Sequence, residues 1–574
     1  MQRSILKRAS HRIVSVGLVS LVSLATADAQ RARGPGEDAT VLRAGQLRIG
    51  VRSEWSFANQ RFGRDGSPMA GQAEPLGADF SQPMGPLVFE QLTPLHAELQ
   101  SLLSTNVDPL SAGSLRTTMD LGVYTTPFTI DLGITSRVML TVAVPYTKTL
   151  NDITVFANSP VSAANVGLNP GTLDAAARST NTQVVSQLTS AATRLSSELT
   201  RCAGSSDASC TAINNDRGGA TALVTLAGRV ATSIGKIYGT SAVRGSAFAP
   251  LNNSALHTQV GQLLTTIASG FQGFLGAPTG LTTWVDARPL GAALMAYNDF
   301  QSVLSDSALG IALVPLESVR RSHLGDITVG AKVLLLDTTR PTRGVTLGDE
   351  HPGLRFSISG AYRLPAAQQD APDNVADVQT GDRSPDIEGA AYVDAVFSKR
   401  LWASVVARYA LQQADKLPLR VAPQGTPFPP LYRQQDVSRD LGDVLSIDVY
   451  PRYSPNDVLT FAGWYRWVSK TADAYTGTFS VTDLSGASQT LNASILNANT
   501  GQQEQRVGGG LTYSTLSAWQ RGQAKWPLEV TVMRQQTISG TNAVVKAATT
   551  TFGLRYYSRL FGGPLRPPPA RRPR

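Results

Sequence analysis

Between Arg137 and Lys148 the chain alternates strictly. Val138, Leu140, Val142, Val144 and Tyr146 fall on one face, and Met139, Thr141, Ala143, Pro145 and Thr147 on the other. A period of two marks a strand with one face against an apolar phase, which could be a protein core or lipid. The same alternation, bounded by turn residues, recurs near 45–56, 115–134 (one strand bent at Pro127), 325–336, 353–364, 385–397, 401–411, 441–453, 457–468, 504–516, 527–538 and 546–561. With 137–148 this predicts about twelve strands, most of them with the nine to eleven or more residues that a tilted membrane strand needs.

The connections discriminate better than the strands. Short links at 134–137, 398–400, 454–457 and 516–526, and a medium one at 337–353, alternate with long ones at 57–114, 149–324, 365–384, 412–440 and 469–503; only the last link, near 539–542, breaks the rule by being brief. An up-and-down barrel with both termini in the periplasm produces this alternation, with tight turns inside and long loops outside. A Greek-key sandwich has no reason to. The expected fold is therefore all-β, an antiparallel up-and-down transmembrane β-barrel of about twelve strands.

One strand face is apolar, for example Ile327, Val329 and Leu335, or Leu401, Val405 and Tyr409. The other carries Asp326, Lys332, Arg355, Arg363, Glu388, Asp394, Arg408, Asp448, Arg452, Arg466, Arg506, Glu529, Arg555 and Arg559. In a closed barrel that second face meets itself, so these residues are the candidates to line the lumen and to pair across it. Their bland role is salt bridging that fills the interior; their functional role is a polar path or gate. Aromatics near strand ends, such as Tyr146, Phe397, Tyr409, Tyr453 and Phe461, fit interfacial girdles.

Residues 149–324 depart from this pattern. Asp174 to Thr200 places Val185, Leu188, Ala192, Leu195 and Leu199 on one helical face, and amphipathic stretches follow near 218–237, 254–274 and 288–307, separated by Gly/Pro/Asn breaks. A large α-helical insert in one extracellular loop is expected, either capping the barrel or plugging it. A smaller helical piece spans 88–103.

Arg3, Lys7, Arg8 and Arg12 precede an apolar run from Ile13 to Leu24 and the sequence Ala27-Asp28-Ala29, the pattern of a secretory signal cut after Ala29. Twelve apolar residues are too few for a spanning helix. The chain then divides into a signal peptide (1–29), first barrel strands with a long helical loop (30–148), the helical insert (149–324), the remaining strands (325–561) and a disordered Pro/Arg tail (562–574). Without residues 1–29 the net charge falls from +9 to +6. So mild and scattered a charge argues against nucleic acid as a partner. In an exported chain, Cys202 and Cys210, eight residues apart in a polar segment, are expected to form a disulfide, and no His within ligand spacing suggests a metal.

PFTIDLGITSRVMLTVAVPY, with Arg137 in its tight turn, resembles the second hairpin of the outer-membrane transporter family named for the meta-pathway of phenol degradation, which is related in architecture to long-chain fatty-acid transporters. GDITVGAKVLL (325–335), SPDIEGAAYVDAVFSKRLWASVVARY (384–409) and TFGLRYYSRLF (551–561) are similar to its later strands. The resemblance covers about 300 residues of the barrel, its motifs individually weak and their order the stronger signal. It implies an outer-membrane channel for passive uptake of small hydrophobic or aromatic compounds. The expected partners are outer-membrane lipid, a small hydrophobic solute and the assembly machinery, and the barrel is expected to act as a monomer. The insert here is larger than that family usually carries, and the Arg-rich tail displaces Phe561 from the chain end. The alternative is a barrel that displays its insert as an adhesin or receptor without transport; a third reading is an exported soluble β-rich protein. Four histidines, His96, His257, His323 and His351, remain after residue 29, and no pattern sets any of them with a Ser and an acid. No catalytic residue, cofactor or metal is expected, and Gly508 to Gly510 reads as close strand packing rather than a phosphate cradle.

Overall fold

The computed structural model describes residues 36–158, 163–276, 288–339 and 351–561. The expected signal peptide and the Pro/Arg tail lie outside them.

Twelve antiparallel strands close into a barrel. They are β1 (Gln46–Ala58), β2 (Leu115–Gly133), β3 (Val138–Ala157), β4 (Val319–Leu324 continued by Ile327–Asp337), β5 (Gly353–Leu364), β6 (Asp386–Val396), β7 (Leu401–Gln412), β8 (Val444–Tyr453), β9 (Leu459–Lys470), β10 (Gln502–Ser514), β11 (Leu528–Gly540) and β12 (Ala548–Arg559). Each pairs with its neighbours in sequence, and β12 returns to β1 in a register running from Gln46↔Arg559 to Phe57↔Ala548. No edge is left open, so the ladders run continuously around the wall apart from local bulges and breaks, as a lipid environment demands.

Side-chain burial follows the period of two around the whole wall. Outward residues such as Leu335, Ile358, Val405, Leu511 and Val532 are exposed, and aromatics stand at both ends of this band: Tyr146, Tyr362 and Tyr409 towards the long loops, Tyr453, Tyr513 and Trp526 towards the short turns. Inward positions carry most of the wall's charged side chains together with Ser, Thr and Gly, with apolar and aromatic groups such as Tyr392, Tyr450 and Trp464 among them. An apolar, aromatic-edged exterior around a polar interior is the inverse of a soluble sheet and identifies the wall as membrane-spanning.

The β2–β3 hairpin extends further than its apolar pattern suggests. Pairing from Gly133↔Met139 to Leu115↔Ala157 carries β3 to twenty residues, nine beyond the predicted end, because alternation persists through Thr149, Asn151, Ile153 and Val155 although their faces are less apolar. The helical insert accordingly occupies 158–318 rather than 149–324, since Val319–Leu324 pair with Tyr146–Asn151. The β4 ladder breaks at Gly325-Asp326, opposite Pro145, which has no N–H to offer; Gly325 N donates to Pro145 O across 2.8 Å instead.

Beyond the long-loop rim lie α1 (Leu92–Leu103), α2 (Ala175–Arg201), α3 (Arg217–Tyr238), α4 (Ala255–Leu275) and α5 (Tyr297–Ser305). Asp174, Asp216 and Ser254 cap α2, α3 and α4 by accepting from backbone N–H groups of the first turn. The buried stripe of α2 runs through Val184, Leu188, Ala191 and Leu195, so Val184 rather than Val185 is its innermost valine. Cys202 and Cys210 are joined between α2 and α3. Pro289 and Gly291 hold the stretch before α5 extended, which makes that helix shorter than its apolar pattern implies. The helices share one hydrophobic core with Phe80, Phe89 and Phe428 of other loops and with the inward Leu115, Met119, Leu121 and Val123 of β2. The insert is thus packed into the barrel mouth.

Candidate functional site

The lumen is built by inward positions of the twelve strands, and its first unexpected occupant is the chain itself. Residues 36–45, ahead of β1, run down the inside of the wall before Gly45 turns the chain into the sheet. That turn requires glycine, because φ is +74° and a Cβ would lie 2.0 Å from Phe561 O. Ala39 is wholly buried; its N–H donates to Asp394 Oδ1 at 3.0 Å, and Ser357 Oγ donates to Ala39 O at 2.5 Å. Val41 and Leu42 pack on Met139 and Leu334 near the short-turn end.

The predicted residues occupy the inward positions of their strands, and all but Arg559, which bonds Phe561 O and Ala44 O at the barrel end, fall into three levels. Towards the long loops, Asp326 accepts from the N–H groups of Ala366 and Ala367 at 3.0 Å each, and Arg363 meets Asp386 at 2.8 Å and Asp382 at 3.4 Å. Glu388 sits half-buried one inward position below Asp386. At mid-height Asp448 takes Arg408, Arg466 (2.6 Å) and Trp464 Nε1 (3.0 Å), while Arg506 bonds Glu504 at 2.5 Å. Towards the short turns, Arg355 meets Asp394 at 3.0 Å, and Lys332 donates to Asp38 O while lying 3.7 Å over the Tyr392 ring. Arg452 donates to Ser404 Oγ at 2.9 Å and stands 3.7 Å from Asp38, and Glu529 accepts from Tyr557 OH at 2.5 Å with Arg555 at 3.9 Å.

Opposite charges were expected to pair across the lumen; those described run along the wall. Arg408, Asp448 and Arg466 occupy consecutive strands β7, β8 and β9, and Arg355–Asp394 and Arg363–Asp386 both join β5 to β6. Neighbouring strands lie within about 5 Å, close enough for an ion pair, whereas the span of a twelve-stranded lumen is not. The exceptions involve the inner segment: Glu37 reaches Arg408 at 2.8 Å, and Arg452 also donates to Glu37 O at 3.2 Å. The acidic pair Glu37-Asp38 just ahead of the first strand was the available signal for this segment, but acidic residues in a chain terminus read equally well as solvated.

Two cavities lie along the lumen among the described residues. The upper one, about 250 Å³, lies under the long loops and mixes Leu76, Met119, Leu121, Leu417, Tyr475 and Leu496 with polar groups. Its roof includes the 365–385 loop, which folds inward so that Thr149 Oγ1 and Asn151 Nδ2 of β3 donate to Val378 O and Ala376 O. In this loop Asp370 is half-buried with Oδ1 sealed from solvent, and burial together with the neighbouring Asp377 carboxylate pushes its carboxyl up to about 7. The lower cavity, about 390 Å³, is bordered by the inner segment and by residues of the short turns, including Arg400 and Asn456. The charged middle level and residues 36–42 separate the two.

Gly508 and Gly510 face inward on β10, where a Cβ would lie 2.6 Å from Arg534 O and 2.3 Å from Met533 Cγ respectively, so they serve close packing. Among the described residues no group of three His, Cys, Asp or Glu side chains is arranged to hold a metal.

No family model matches the chain, and no curated protein does. Among solved structures it is similar to an outer membrane channel from Pseudomonas putida F1 (7% identity, covering 92% of this chain and 100% of that one, TM-score 0.38). Others are the Ralstonia pickettii toluene transporter TbuX (8%, 96% and 97%, TM-score 0.27) and a Pseudomonas aeruginosa FadL homologue (9%, 95% and 100%, TM-score 0.28). Overlaps this loose carry no argument about fold or solute, which rest on this chain's own geometry. That geometry is a closed, twelve-stranded transmembrane β-barrel with a helical assembly at one mouth and its own N-terminal segment inside.

Proposed function

We propose that the protein is an outer-membrane channel for passive uptake of small hydrophobic or aromatic compounds. The observation that carries this is the pair of cavities on one axis: an upper one of mixed apolar and polar lining under the loops, and a lower one opening towards the short turns, with the inner segment between them. The upper pocket, a few hundred Å³ with an apolar lining and several polar groups, suits a small organic ligand. The upper cavity collects such a solute from the outer face, and the lower one releases it to the periplasm.

The insert acts as a cap rather than a separate display module. Its core continues into Leu115, Met119, Leu121 and Val123 of β2, and Arg420 of the 413–443 loop donates to Ile311 O and Ala312 O of the insert at 2.5 and 2.7 Å. An adhesin domain would gain nothing from fusing its core with the barrel mouth.

The test is uptake of radiolabelled toluene by cells with an intact lipopolysaccharide layer, making the full-length protein or none. Faster initial uptake with the protein present is expected. Equal rates, with the protein verified in the outer-membrane fraction as a heat-modifiable barrel, would favour the display alternative.

A further inference from the structure

The lower cavity has a charge pattern that uptake of a neutral solute leaves unexplained. The wall and its short turns supply eight Lys and Arg side chains to it and three acidic ones, while the inner segment supplies the carboxylates of Glu37 and Asp38. Those two residues are held at the boundary of the cavity by Arg408, Arg452 and Lys332, through ion pairs of 2.8 and 3.7 Å and a contact from Lys332 Nζ to Asp38 O. Arg408 and Arg452 are both buried, and their planar forks suit carboxylates. Trp402, Met139, Met533 and Tyr392 also line the cavity and offer an apolar surface, with Lys332 Nζ 3.7 Å from the Tyr392 ring centre.

We propose that this cavity is a binding site for organic carboxylates, with the ligand's carboxylate taking the position that Glu37 and Asp38 now fill and its apolar part lying on Trp402 and the two methionines. The segment's own side chains act as an internal competitor. A ligand anion replaces like with like, so the buried cations are never left uncompensated. The site therefore favours amphipathic acids over neutral compounds of the same shape. This rests on the channel reading for its physiological meaning, but binding can be read without transport.

The experiment is calorimetric titration of the full-length protein in detergent with benzoate, with benzyl alcohol as the neutral counterpart and inorganic phosphate as the alternative anion. Benzoate is expected to bind at least tenfold more tightly than benzyl alcohol. The double variant E37Q/D38N, which keeps the segment's shape and removes its charge, is expected to bind benzoate at least fivefold more tightly than the unaltered protein, and Arg452→Gln at least tenfold more weakly. If Arg452→Gln does not migrate as a folded barrel, Arg452→Lys replaces it, keeping the charge and losing the fork. Equal affinity for benzoate and benzyl alcohol, or an unchanged affinity in E37Q/D38N, would overturn the proposal. Phosphate binding as tight as benzoate would overturn the organic-carboxylate assignment in favour of free phosphate. A protein that speeds toluene uptake and ignores benzoate refutes only this inference, and one that binds benzoate without speeding uptake refutes only the channel.

Discussion

Asp448 shows what a single inward charge does. It is completely buried, and it holds Arg408 of β7 and Arg466 of β9 with the Trp464 indole closing the group. Asp448→Asn would keep the shape and leave two buried guanidinium groups short of charge, a loss of about 3–5 kcal/mol for a broken buried pair. Urea unfolding in lipid vesicles should show it as a lower midpoint with the slope unchanged. An unaltered midpoint would mean that water screens the lumen charges. Parity along the strand revealed that Asp448 faces inward, but its partners depend on register, and register is set by turns and bulges that no local pattern encodes. Lys332 makes the point more sharply: it donates to Asp38, 294 residues away in the chain.

At the scale of elements, the strands were readable to within a few residues because both the period and the short links marked them. The ends of β3 and β4 were not, since above the membrane band the outward face holds Lys148, Asp152 and Arg320 and the apolar contrast fades. The inner segment was invisible for a different reason: residues 36–45 have neither period, and their position is fixed by contacts with β3 to β8. The inward-folded 365–385 loop carries a pH dependence. The Asp370 carboxyl ordinarily titrates near 3.8 and is raised to about 7 by burial and by Asp377. Between these values the folded loop keeps a proton that the unfolded chain has lost, so Asp370's contribution to its stability is full below about pH 4 and is lost as pH rises through about 7. Hydrogen exchange across 365–385 should be slower at pH 5 than at pH 8 after correction for intrinsic rates, and Asp370→Asn should flatten the difference. An identical profile in the variant would show that another group is responsible.

For the molecule as a whole, the decisive distinction is what touches the outer face. Val405 is 40 % exposed on β7. On a soluble sheet, Val405→Arg at such a site changes stability by about 0.5 kcal/mol or less. Against hydrocarbon near the bilayer midplane it should cost about 2–4 kcal/mol. Unfolding of the variant in vesicles separates the two, and a change under about 0.5 kcal/mol would argue against lipid contact at that position.

The proposed solute path runs through the lumen and is interrupted by residues 36–44. Planar-bilayer conductance of the full chain and of a variant lacking those residues tests this directly. A several-fold larger conductance is expected in the deletion variant, with heat-modifiable migration retained. Equal conductance from two properly folded barrels would contradict a path blocked by this segment.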